Sequence, residues 1–540
     1  MNNNDACIDI ALSTIKIGKQ AIIFVNTKRG AESLAEKISQ KVVKKKDDYK
    51  LNDNILSEIS TSILHVFSTP TKQCIRLGEM IKYGAAFHHS GLTSEQRSLI
   101  EKNFKQGIVK IIVATPTLAA GVDLPAFRVI IRDLKRFGLW GMEYIPVLEY
   151  EQQSGRAGRP SYDDFGEAIC IADTESEKVE IYEKYILGEP EDIVSKLAVE
   201  PIMRTYILSL IASEFVNSVS GIEEFFSKTF YAQEYGDTKR LFSIIQKMLT
   251  QLEEWNFIEI EGSESKNYTS DKDFVSALKM TFKHIDRRVK ATLLGHRVSE
   301  LYLDPYTANF IIQNLDTALK ENIKNNYFNA LSLMHLVCSC LELRPLLRVK
   351  TKEMDEIQEY VNTNFEYLLT EIPEVFDDGY EEFLASIKTT KFFMEWLDEK
   401  DEEYLLEKYD VRPGEIASKK DKADWLLYSA EELAKLMKMH ILIKDIAKLR
   451  YRLKYGAREE LIPLLQLKNI GRVRARILFN ARIKDISDVK KIDLTTLTQL
   501  LGKNIALDIK KQVGQDLSPE NVEVKEGKRK GQKSVKDYDE

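Results

Sequence analysis

Up to about residue 190, short apolar runs alternate along the chain with stretches in which apolar residues recur every three or four positions. The runs of strand length are 21–25, 85–87 and 111–114, and the helical stretches are 29–43 and 94–105. Strands that alternate with helices in this way build a parallel sheet covered by helices. The pattern therefore predicts one α/β domain over residues 1–190.

After Gly188-Glu189-Pro190 the pattern changes to amphipathic helices with few strand candidates. Helices and then two short apolar runs, WNFIEIEG and the stretch around Tyr268, predict a winged-helix domain. Longer helices follow, then short helices joined by glycine-containing turns, then a polar and charged tail that we expect to be disordered. The predicted domains after the first are 191–290 (winged helix), 291–455 (helical bundle), 456–512 (short helices) and 513–540 (tail).

The length of 540 residues fits this modular organisation, since roughly 150 residues make one domain. Hydrophobic residues make up 44% and charged residues 30% of the chain, and nothing approaches the ~18 apolar residues of a membrane helix. The start, MNNNDACIDI, lacks a basic leader and an apolar signal core, so we expect a cytoplasmic protein without a membrane partner. Five scattered cysteines lack the paired spacing of a zinc site, and we expect no metal held by these residues.

The net charge of −6 argues against a nucleic-acid-binding protein when it is taken for the whole chain. The local distribution of charge, in contrast, argues for a nucleic-acid-binding protein. From Lys468 to Lys484, with both lysines included, there are six basic residues and no acidic residue. Because phosphates are neutralised by the face that they touch, an acidic protein can still present a DNA-binding surface.

The segment QQSGRAGRP (152–160) has two arginines three residues apart, Arg156 and Arg159, separated by small residues. Side chains at this spacing project to the same side of a helix start, and the small residues allow another surface to come close. Arginines so placed can reach a phosphate across a domain cleft and stabilise the charge of phosphoryl transfer. The alternative is a surface ion-pair cluster on a glycine-rich cap.

A second segment, IIVATPTLAAGVDLP (111–125), contains a buried strand that ends in Ala114-Thr115-Pro116-Thr117 and a turn of helix before Gly121 and Asp123. Hydroxyl groups and backbone amides at the carboxyl end of a strand commonly bind ligands in an α/β sheet, here a nucleic-acid phosphate. Asp123 would then link a bound nucleotide to the core of the domain. An ordinary strand-to-helix turn is the alternative.

These segments resemble the second RecA-like domain of superfamily 2 helicases. FVNTKR (24–29) is similar to helicase motif IV, FHHSGL (87–92) to a segment typical of the superkiller-like branch, 111–125 to motif V and 152–159 to motif VI. Further stretches, among them LGHRVSELYLDPYTA and LQLKNIGRVRARILFNARI, resemble the archaeal superkiller-like DNA helicases that act at replication forks, relatives of the helicase part of polymerase theta. The resemblance covers about residues 15–510 and implies a RecA-like α/β domain followed by α-rich domains.

The resemblance also implies roles for residues of these motifs. Arg156 and Arg159 would be arginine fingers in catalysis, and Gln152 would act beside them. The expected nucleotide-cleft residues are Gly121, Asp123 and Gly155, and those expected to face the nucleic acid are Asn26, Thr27, Thr115 and Thr117.

Residues 132–150 alternate apolar and polar positions around Gly138 and Gly141, which predicts a β-hairpin with the aromatic tips Phe137, Trp140 and Tyr144. In the resembling family a hairpin here separates the duplex, and an aromatic tip can stack on the last base pair. A simple surface hairpin is the alternative.

Trp425 lies on a predicted helix whose apolar face is formed by Leu426, Ala430 and Leu433. A tryptophan beside such a face is commonly part of a core. The resemblance instead places Trp425 on a ratchet helix that stacks on single-stranded DNA, with a basic partner about two turns earlier. Here the nearest basic residues are Lys419, Lys420 and Lys422, which leaves the partner unassigned.

The run LKNIGRVRARIL (467–478) has the pattern of a helix, a glycine hairpin and a second helix. The turn would direct backbone N–H groups at a phosphate, and nearby cations would add charge without reading the base sequence. The residues expected to bind DNA are Lys468, Gly471, Arg472, Arg474 and Arg476. The alternative is that these charged helices are simply solvated.

No G-x-x-x-x-G-K-[ST] sequence and no acidic strand end precede these motifs; Gly18-Lys19 is followed by Gln20. We therefore expect that the first RecA-like domain is absent, that a separate P-loop chain holds most of the ATP and Mg²⁺, and that the isolated chain is inactive. In the tail, QKSVKDY (532–538) faintly resembles a sliding-clamp-binding peptide. Chance explains that match better, but a clamp or single-strand-binding protein is the partner it would imply.

The sequence thus predicts part of an ATP-dependent 3′–5′ DNA helicase that unwinds forked or branched DNA in replication and repair. One alternative is a fork-binding module that has lost motor activity. The other is an RNA helicase relative, because the motor motifs are shared across the superfamily.

Overall fold

The computed structural model describes residues 3–44, 48–49, 51–67, 70–138, 141–159, 163–236, 238–261, 287–325 and 327–515. The chain divides into two compact units. Unit 1 consists of residues 1–195 and 402–419, and unit 2 of residues 196–401 and 420–540. The first boundary lies close to the predicted one at residue 190, but residues 402–419, expected in the helical bundle, pack in unit 1.

The helices of the first 195 residues are α1 (Asn3–Lys16), α2 (Lys28–Val43), α3 (Asp53–Leu64), α4 (Lys72–Ile81), α5 (Ser94–Lys105), α6 (Thr117–Gly121), α7 (Val147–Ser154) and α8 (Glu175–Ile181). The later helices are α9 (Glu200–Ala212), α10 (Val219–Ser227), α11 (Phe230–Tyr235), α12 (Thr238–Glu254), α13 (Leu293–Glu300), α14 (Pro305–Thr317), α15 (Ala330–Cys338), α16 (Met354–Asn364), α17 (Tyr380–Leu397), α18 (Glu402–Tyr409), α19 (Pro413–Leu436), α20 (His440–Tyr455), α21 (Ile462–Leu465), α22 (Arg472–Asn480), α23 (Ile486–Lys491), α24 (Leu494–Leu501) and α25 (Lys503–Gln512). The strands are β1 (Ala21–Phe24), β2 (Ala85–His88), β3 (Ile111–Ala114), β4 (Arg128–Ile131), β5 (Lys135–Gly138), β6 (Gly141–Tyr144), β7 (Glu167–Cys170), β8 (Ile258–Ile260) and β9 (Val289–Ala291).

The core of unit 1 is a five-stranded sheet in the order β2-β3-β1-β4-β7, with every pair parallel. All residues of β1, β2 and β3 are buried, as expected for uninterrupted apolar runs that are covered on both faces. In the register, Phe24 pairs with Ala114 on one side and with Ile131 on the other. The carboxyl ends of these strands therefore lie along one edge of the sheet, and the predicted α/β domain is confirmed.

The helices that cover this sheet begin at residues suited to the position. Thr27, Thr71 and Thr93 precede α2, α4 and α5, and each side-chain oxygen accepts a backbone N–H of the first turn. Thr93 and Gln96 form a reciprocal capping box. Such caps satisfy N–H groups that have no partner within the helix, and so they fix where each helix starts.

Unit 2 begins with helices that pack around a small antiparallel pair, β8 and β9, in which Ile258 pairs with Ala291. An isolated bridge between Ser218 and Arg288 adds a third short segment to this pair. A winged helix contains helices and a small sheet, and the winged-helix domain stays a prediction. The apolar run expected around Tyr268 lies outside the described residues.

The rest of unit 2 is helical, and its apolar clusters include two that are formed by described residues. One lies among α15, α16 and α17 and includes Leu331, Ile357 and Leu384. The other extends from Ala457 to Ile509 and joins the short helices α21 to α25. Each cluster buries the apolar faces predicted from the sequence, so the α-rich character of this part is confirmed. Among the helices of the described ranges, none has the length and apolarity needed to cross a bilayer.

Candidate nucleotide and nucleic-acid interface

Asn26 and Thr27 follow β1 at the carboxyl edge of the sheet and take part in local hydrogen bonds. The Asn26 side chain donates to the carbonyl oxygen of Lys135 at 2.6 Å, and its backbone N–H donates to Asp133 at 3.0 Å. Thr27 Oγ1 accepts the backbone N–H of Gly30 at 3.0 Å as the cap of α2. Asn26 therefore ties the end of β1 to the start of β5, and Thr27 fixes the first turn of α2.

Thr115 and Thr117 follow β3 at the same edge. Their hydroxyl oxygens are 2.9 Å apart, with Thr115 buried and Thr117 exposed. Since β1 and β3 are adjacent and parallel, the structure brings together the four polar residues that the sequence assigned to the nucleic-acid side. These four residues lie at one edge because β1 and β3 are neighbours in the sheet, and the strand order could not be predicted from the sequence alone.

The segment with the two arginines is joined to the segment after β3 through the backbone. The N–H of Ala126 donates to the carbonyl oxygen of Arg156 at 2.9 Å, and the N–H of Gly158 donates to that of Ala126 at 2.7 Å. Gly158 has φ +90°, a conformation that favours glycine. These bonds hold residues 156–158 beside residue 126, which directly follows the segment 111–125.

Arg156 is half-buried and points at the residues that the sequence placed in the nucleotide cleft. Its Nε donates to the carbonyl oxygen of Ala119 at 3.2 Å, and Nη2 donates to the same oxygen. Its Nη1 lies 3.8 Å from Oδ1 of Asp123, whose side chain is 91% exposed. A long, solvated ion pair of this kind holds a guanidinium weakly, which leaves it able to bind a stronger anion.

Arg159 is held by a tighter set of partners. Its Nε donates to Asp163 at 2.9 Å and Nη1 donates to Gln20 Oε1 at 2.7 Å. The Asp163 side chain is buried and also pairs with Lys19. Hydrogen bonds from Arg159 and Lys19 lower the pKa of Asp163 in spite of its burial, so it stays ionised and fixes both cations.

The other predicted cleft residues are open to solvent. Gln152, Gly121 and Gly155 are exposed, and nothing lies within 4 Å of a β-carbon built on Gly121. Next to Gln152, Gln153 is buried. Gln152, Gly121, Asp123 and Arg156 thus give an accessible surface with one cation set into it, which fits the phosphate end of a nucleotide.

The predicted hairpin is present as β5 and β6, in which Phe137 pairs with Met142. The two side chains are 83% and 57% exposed, so the hairpin carries an apolar end in solvent. Trp140 lies outside the described residues. The prediction of Tyr144 as a tip is wrong: its hydroxyl donates to Glu180 at 2.6 Å and its ring packs under Lys135, which places it at the hairpin base.

Trp425 is half-buried on α19, and its indole N–H donates to the carbonyl oxygen of Leu301 at 3.0 Å. Leu426, Ala430 and Leu433 are buried, which confirms the predicted apolar face. Of the nearby basic residues, Lys422 donates to the carbonyl oxygen of Arg344 at 2.8 Å, and Lys420 lies 4.4 Å from the ring centre of Trp396. These two lysines therefore already have partners within unit 2.

The predicted glycine hairpin lies between α21 and α22. Asn469 has φ +64°, which asparagine tolerates better than most residues, and Gly471 precedes the first residue of α22. Lys468 and Arg474 are exposed, and Arg474 donates to the carbonyl oxygen of Asn469 at 2.7 Å. The hairpin borders a depression of about 400 Å³ that also includes Tyr451 and Tyr455.

Two of the predicted DNA-binding arginines are occupied inside the protein. Arg476 donates to Glu399 at 2.8 Å and to Glu460 at 2.9 Å. Arg472 donates to the carbonyl oxygen of Lys400 at 2.9 Å and stacks on Trp396 at 4.4 Å. Both residues therefore attach α22 to the end of α17, a role that the run of positive charge did not reveal.

Comparison with known proteins bears on both units. The model of the helicase conserved C-terminal domain matches residues 47–161, and that of archaeal helicase domain 4 matches residues 331–456. The protein of Methanococcus vannielii named ATP-dependent DNA helicase Hel308 is 37% identical over 530 residues, which are 94% of this chain and 68% of that protein. The chain belongs to the Hel308 family.

Other Hel308 proteins match over similar lengths. That of Pyrococcus horikoshii is 36% identical, over 94% of this chain and 66% of its own length. That of Caldivirga maquilingensis is 31% identical, over 95% and 65%. The chain thus spans about two thirds of the length of these relatives. The comparisons do not support the expectations that the first motor domain is missing and that a separate chain supplies it.

The amino-acid pattern of this Hel308 chain does not indicate one buried cluster, which is centred on Glu32. Glu32 on α2 is buried and accepts hydrogen bonds from Arg76 at 2.9 Å and from Arg412 at 3.1 Å, and His89 lies 3.2 Å away. The N–H of Gly414 donates to the carbonyl oxygen of Gly91 at 3.0 Å. The segment FHHSGL, assigned only by resemblance, is therefore the place where residues 410–415 pack on the sheet domain.

Proposed function

We propose that this chain provides the second motor domain and the DNA-holding domains of an ATP-dependent 3′–5′ DNA helicase that unwinds forked or branched DNA. The observation that carries the proposal is the position of Arg156. It is half-buried on a segment bonded to Ala126, just before β4, and it faces Asp123 in the connection between β3 and β4. A guanidinium whose partners are a neutral carbonyl and a solvated carboxylate can bind a phosphate more strongly than it binds either of them.

Arg156 and Arg159 are the residues that would act on the nucleotide. ATP with Mg²⁺ would supply the phosphoryl group, held mainly by a P-loop domain on this or another polypeptide. Arg156 would exchange the Ala119 carbonyl and Asp123 for phosphate oxygens, because a guanidinium bonds more strongly to an ionised acceptor than to a neutral one. Arg159, fixed by Asp163 and Gln20, would hold its orientation; Gln152 and Gly155 would border the nucleotide.

The polar edge formed by Asn26, Thr27, Thr115 and Thr117 would contact the phosphates of the translocating strand. These side chains form neutral hydrogen bonds, which position a backbone without reading its sequence. The hairpin of β5 and β6 would separate the duplex, with the exposed ring of Phe137 beside the last base pair. The exposure of Phe137 supports this role, since an aromatic ring in solvent is a ready surface for a base.

In unit 2, Trp425 would stack on single-stranded DNA, and Lys468, Gly471 and Arg474 would bind phosphates as a helix-hairpin-helix. Arg472 and Arg476 would contribute by keeping α22 in place. Residues 191–290 would form a winged-helix domain. The exposed Lys468 and Arg474 support phosphate binding, because both cations reach solvent beside the hairpin.

The test compares the chain alone with the chain mixed with the remaining third of the Methanococcus vannielii relative, the part that this chain does not match. ATP hydrolysis and unwinding of a 3′-tailed DNA fork are measured for wild type and for Arg156→Ala. We expect DNA-stimulated hydrolysis in the mixture and a large loss in the variant. Hydrolysis by the chain alone would show that no further P-loop domain is required.

Two results would favour the alternatives. Fork binding that weakens with salt, without hydrolysis in the mixture, would indicate a binding module that has lost motor activity. Faster unwinding of an RNA duplex than of the matched DNA duplex would indicate an RNA helicase.

A further inference from the structure

Tyr302 is the residue that directly follows the C-cap of α13, and its backbone is left-handed, with φ +54°. Its N–H donates to the carbonyl oxygen of Ser299 at 3.1 Å, and the N–H of Leu303 donates to that of Val298 at 3.4 Å. These two bonds close the end of the helix. The position is the one that glycine usually occupies, because a β-carbon is disfavoured at positive φ.

The described fold gains little from a tyrosine at this position. The side chain is 85% exposed, and in the described ranges it has no hydrogen bond, ion pair or ring contact. The other non-glycine residues with positive φ in those ranges are polar or charged: Glu214, Asn256, Glu399, Asp410, Lys438, Asn469 and Arg482. Tyr302 is thus the one large aromatic residue held in this conformation there, and folding does not account for its ring.

Its surroundings indicate what the ring can do. The indole N–H of Trp425 donates to the carbonyl oxygen of Leu301, and that carbonyl carbon is bonded to the nitrogen of Tyr302. Trp425 and the Tyr302 backbone therefore belong to one small area of unit 2. The same area is braced by Arg297 on α13, which donates to the hydroxyl of Tyr428 at 3.2 Å and pairs with Glu432 on α19.

We infer that Tyr302 is a second base-stacking residue, which binds single-stranded DNA next to Trp425. This inference rests on the proposed function, because it takes Trp425 to be a DNA contact. Every base offers an aromatic face, so two neighbouring rings would hold successive nucleotides whatever their sequence. A left-handed residue at a braced helix end has little freedom, and its ring is therefore presented at small entropic cost.

The test measures binding of the full chain to fluorescein-labelled oligothymidine by anisotropy. We expect Tyr302→Ala to weaken binding by roughly 5- to 150-fold, and Tyr302→Phe to bind like wild type because it keeps the ring. The salt dependence of binding should not change, since tyrosine carries no charge. Tyr206→Ala is the matched control: Tyr206 lies on α9, is 57% exposed and should not affect binding.

Tyr302→Gly separates binding from folding. Glycine adopts this φ freely, so we expect the thermal midpoint of unit 2 to rise by roughly 1–3 °C while DNA binding falls as in Tyr302→Ala. A lowered midpoint would show that the ring packs on something in the fold, and would overturn the inference. So would Tyr302→Phe binding as weakly as Tyr302→Ala, because that result would assign the effect to the hydroxyl.

Trp425→Ala distinguishes this inference from the proposed function. If Trp425→Ala weakens binding and Tyr302→Ala does not, Tyr302 is not a stacking residue, whereas the proposed function stands. If neither of these variants nor Arg474→Ala changes binding, the proposed DNA-holding role of unit 2 fails, and the inference fails with it.

Discussion

Glu32 Oε1 accepts a hydrogen bond from Nε of Arg412 at 3.1 Å, although the two residues are 380 positions apart in the chain. Both side chains are 9% exposed. Burial by itself would raise the pKa of Glu32, but the imidazole of His89, 3.2 Å away, and the charge of Arg412 bring it to about 2. This ionised carboxylate joins α2 to the segment that precedes and begins α19.

Glu32→Gln should destabilise unit 1 by roughly 3–5 kcal/mol, because Arg412 would lose the ionised partner of a buried pair. Hydrogen exchange should show the amides of residues 402–419 losing protection before those of β1 and β3. Glu36→Gln is the control: Glu36 binds Arg76 from a 43% exposed position, so about 0–1 kcal/mol is expected. Equal effects of the two variants would mean that Glu32 does not hold the segment.

The ionisation of Glu32 also sets a pH window. Its pKa falls from 4.5 to about 2 on folding, so its contribution to stability is present above pH 4.5 and is lost as the pH falls towards 2. Urea unfolding of wild type and Glu32→Gln across this range should converge at the acid end. A constant difference between them would contradict this assignment.

Arg156→Ala should lower ATP hydrolysis by roughly 10³- to 10⁵-fold in the chain assembled with a P-loop domain, as expected for an arginine finger. Its melting temperature should change little, since its ion-pair partner Asp123 is exposed. Arg159→Ala should also lower the melting temperature, because Asp163 is buried and would lose one of its two cations. Calorimetry measures the melting temperature of each variant, and the ATPase assay measures its activity. An equal loss of stability in the two variants would contradict the expectation that only Arg159 supports the fold.

Replacement by alanine should weaken DNA binding at Arg474 and should destabilise α22 at Arg476. Arg474→Ala should weaken DNA binding and reduce the slope of log affinity against log salt by about 1, the value for one lost phosphate contact. Arg476→Ala should keep that slope and instead loosen α22, because it removes the bonds to Glu399 and Glu460. Salt titrations of DNA binding measure the first effect, and hydrogen exchange of residues 472–480 measures the second. A reduced salt slope in Arg476→Ala would show that Arg476 contacts a DNA phosphate.

His335 should make unit 2 sensitive to mild acid. It is buried on α15, and burial lowers its pKa from 6.5 to about 4. The folded state therefore prefers the neutral ring, so its contribution to stability is present above pH 6.5 and about 3 kcal/mol is lost as the pH falls towards 4. His335→Gln should flatten the pH dependence of thermal unfolding between pH 7 and 4; an unchanged curve would assign the acid response to other groups.

Much of the candidate site could be predicted because its signals are local. The apolar runs predicted β1, β2 and β3, and the motif identified Arg156 and Arg159. The predicted position of these arginines at the start of a helix is wrong, because both follow the end of α7. The residues with which these side chains interact could not be predicted from the sequence. Nothing near Arg476 in the sequence indicates that Glu399, 77 positions earlier, neutralises it. Tyr144 has the alternation of a hairpin tip, but Glu180 and Lys135 hold it at the base.

The sequence by itself determined the α/β and α-rich order of elements, the glycine hairpin and the motif residues, because periodicity, caps and turn residues act over a few positions. Only the tertiary structure decided which charges remain exposed and which are buried in pairs, and that residues 402–419 pack with unit 1. The reason is physical. A buried charge is stable only beside a partner, and the partner is chosen by the approach of elements far apart in the chain, as Glu32 and Arg412 show.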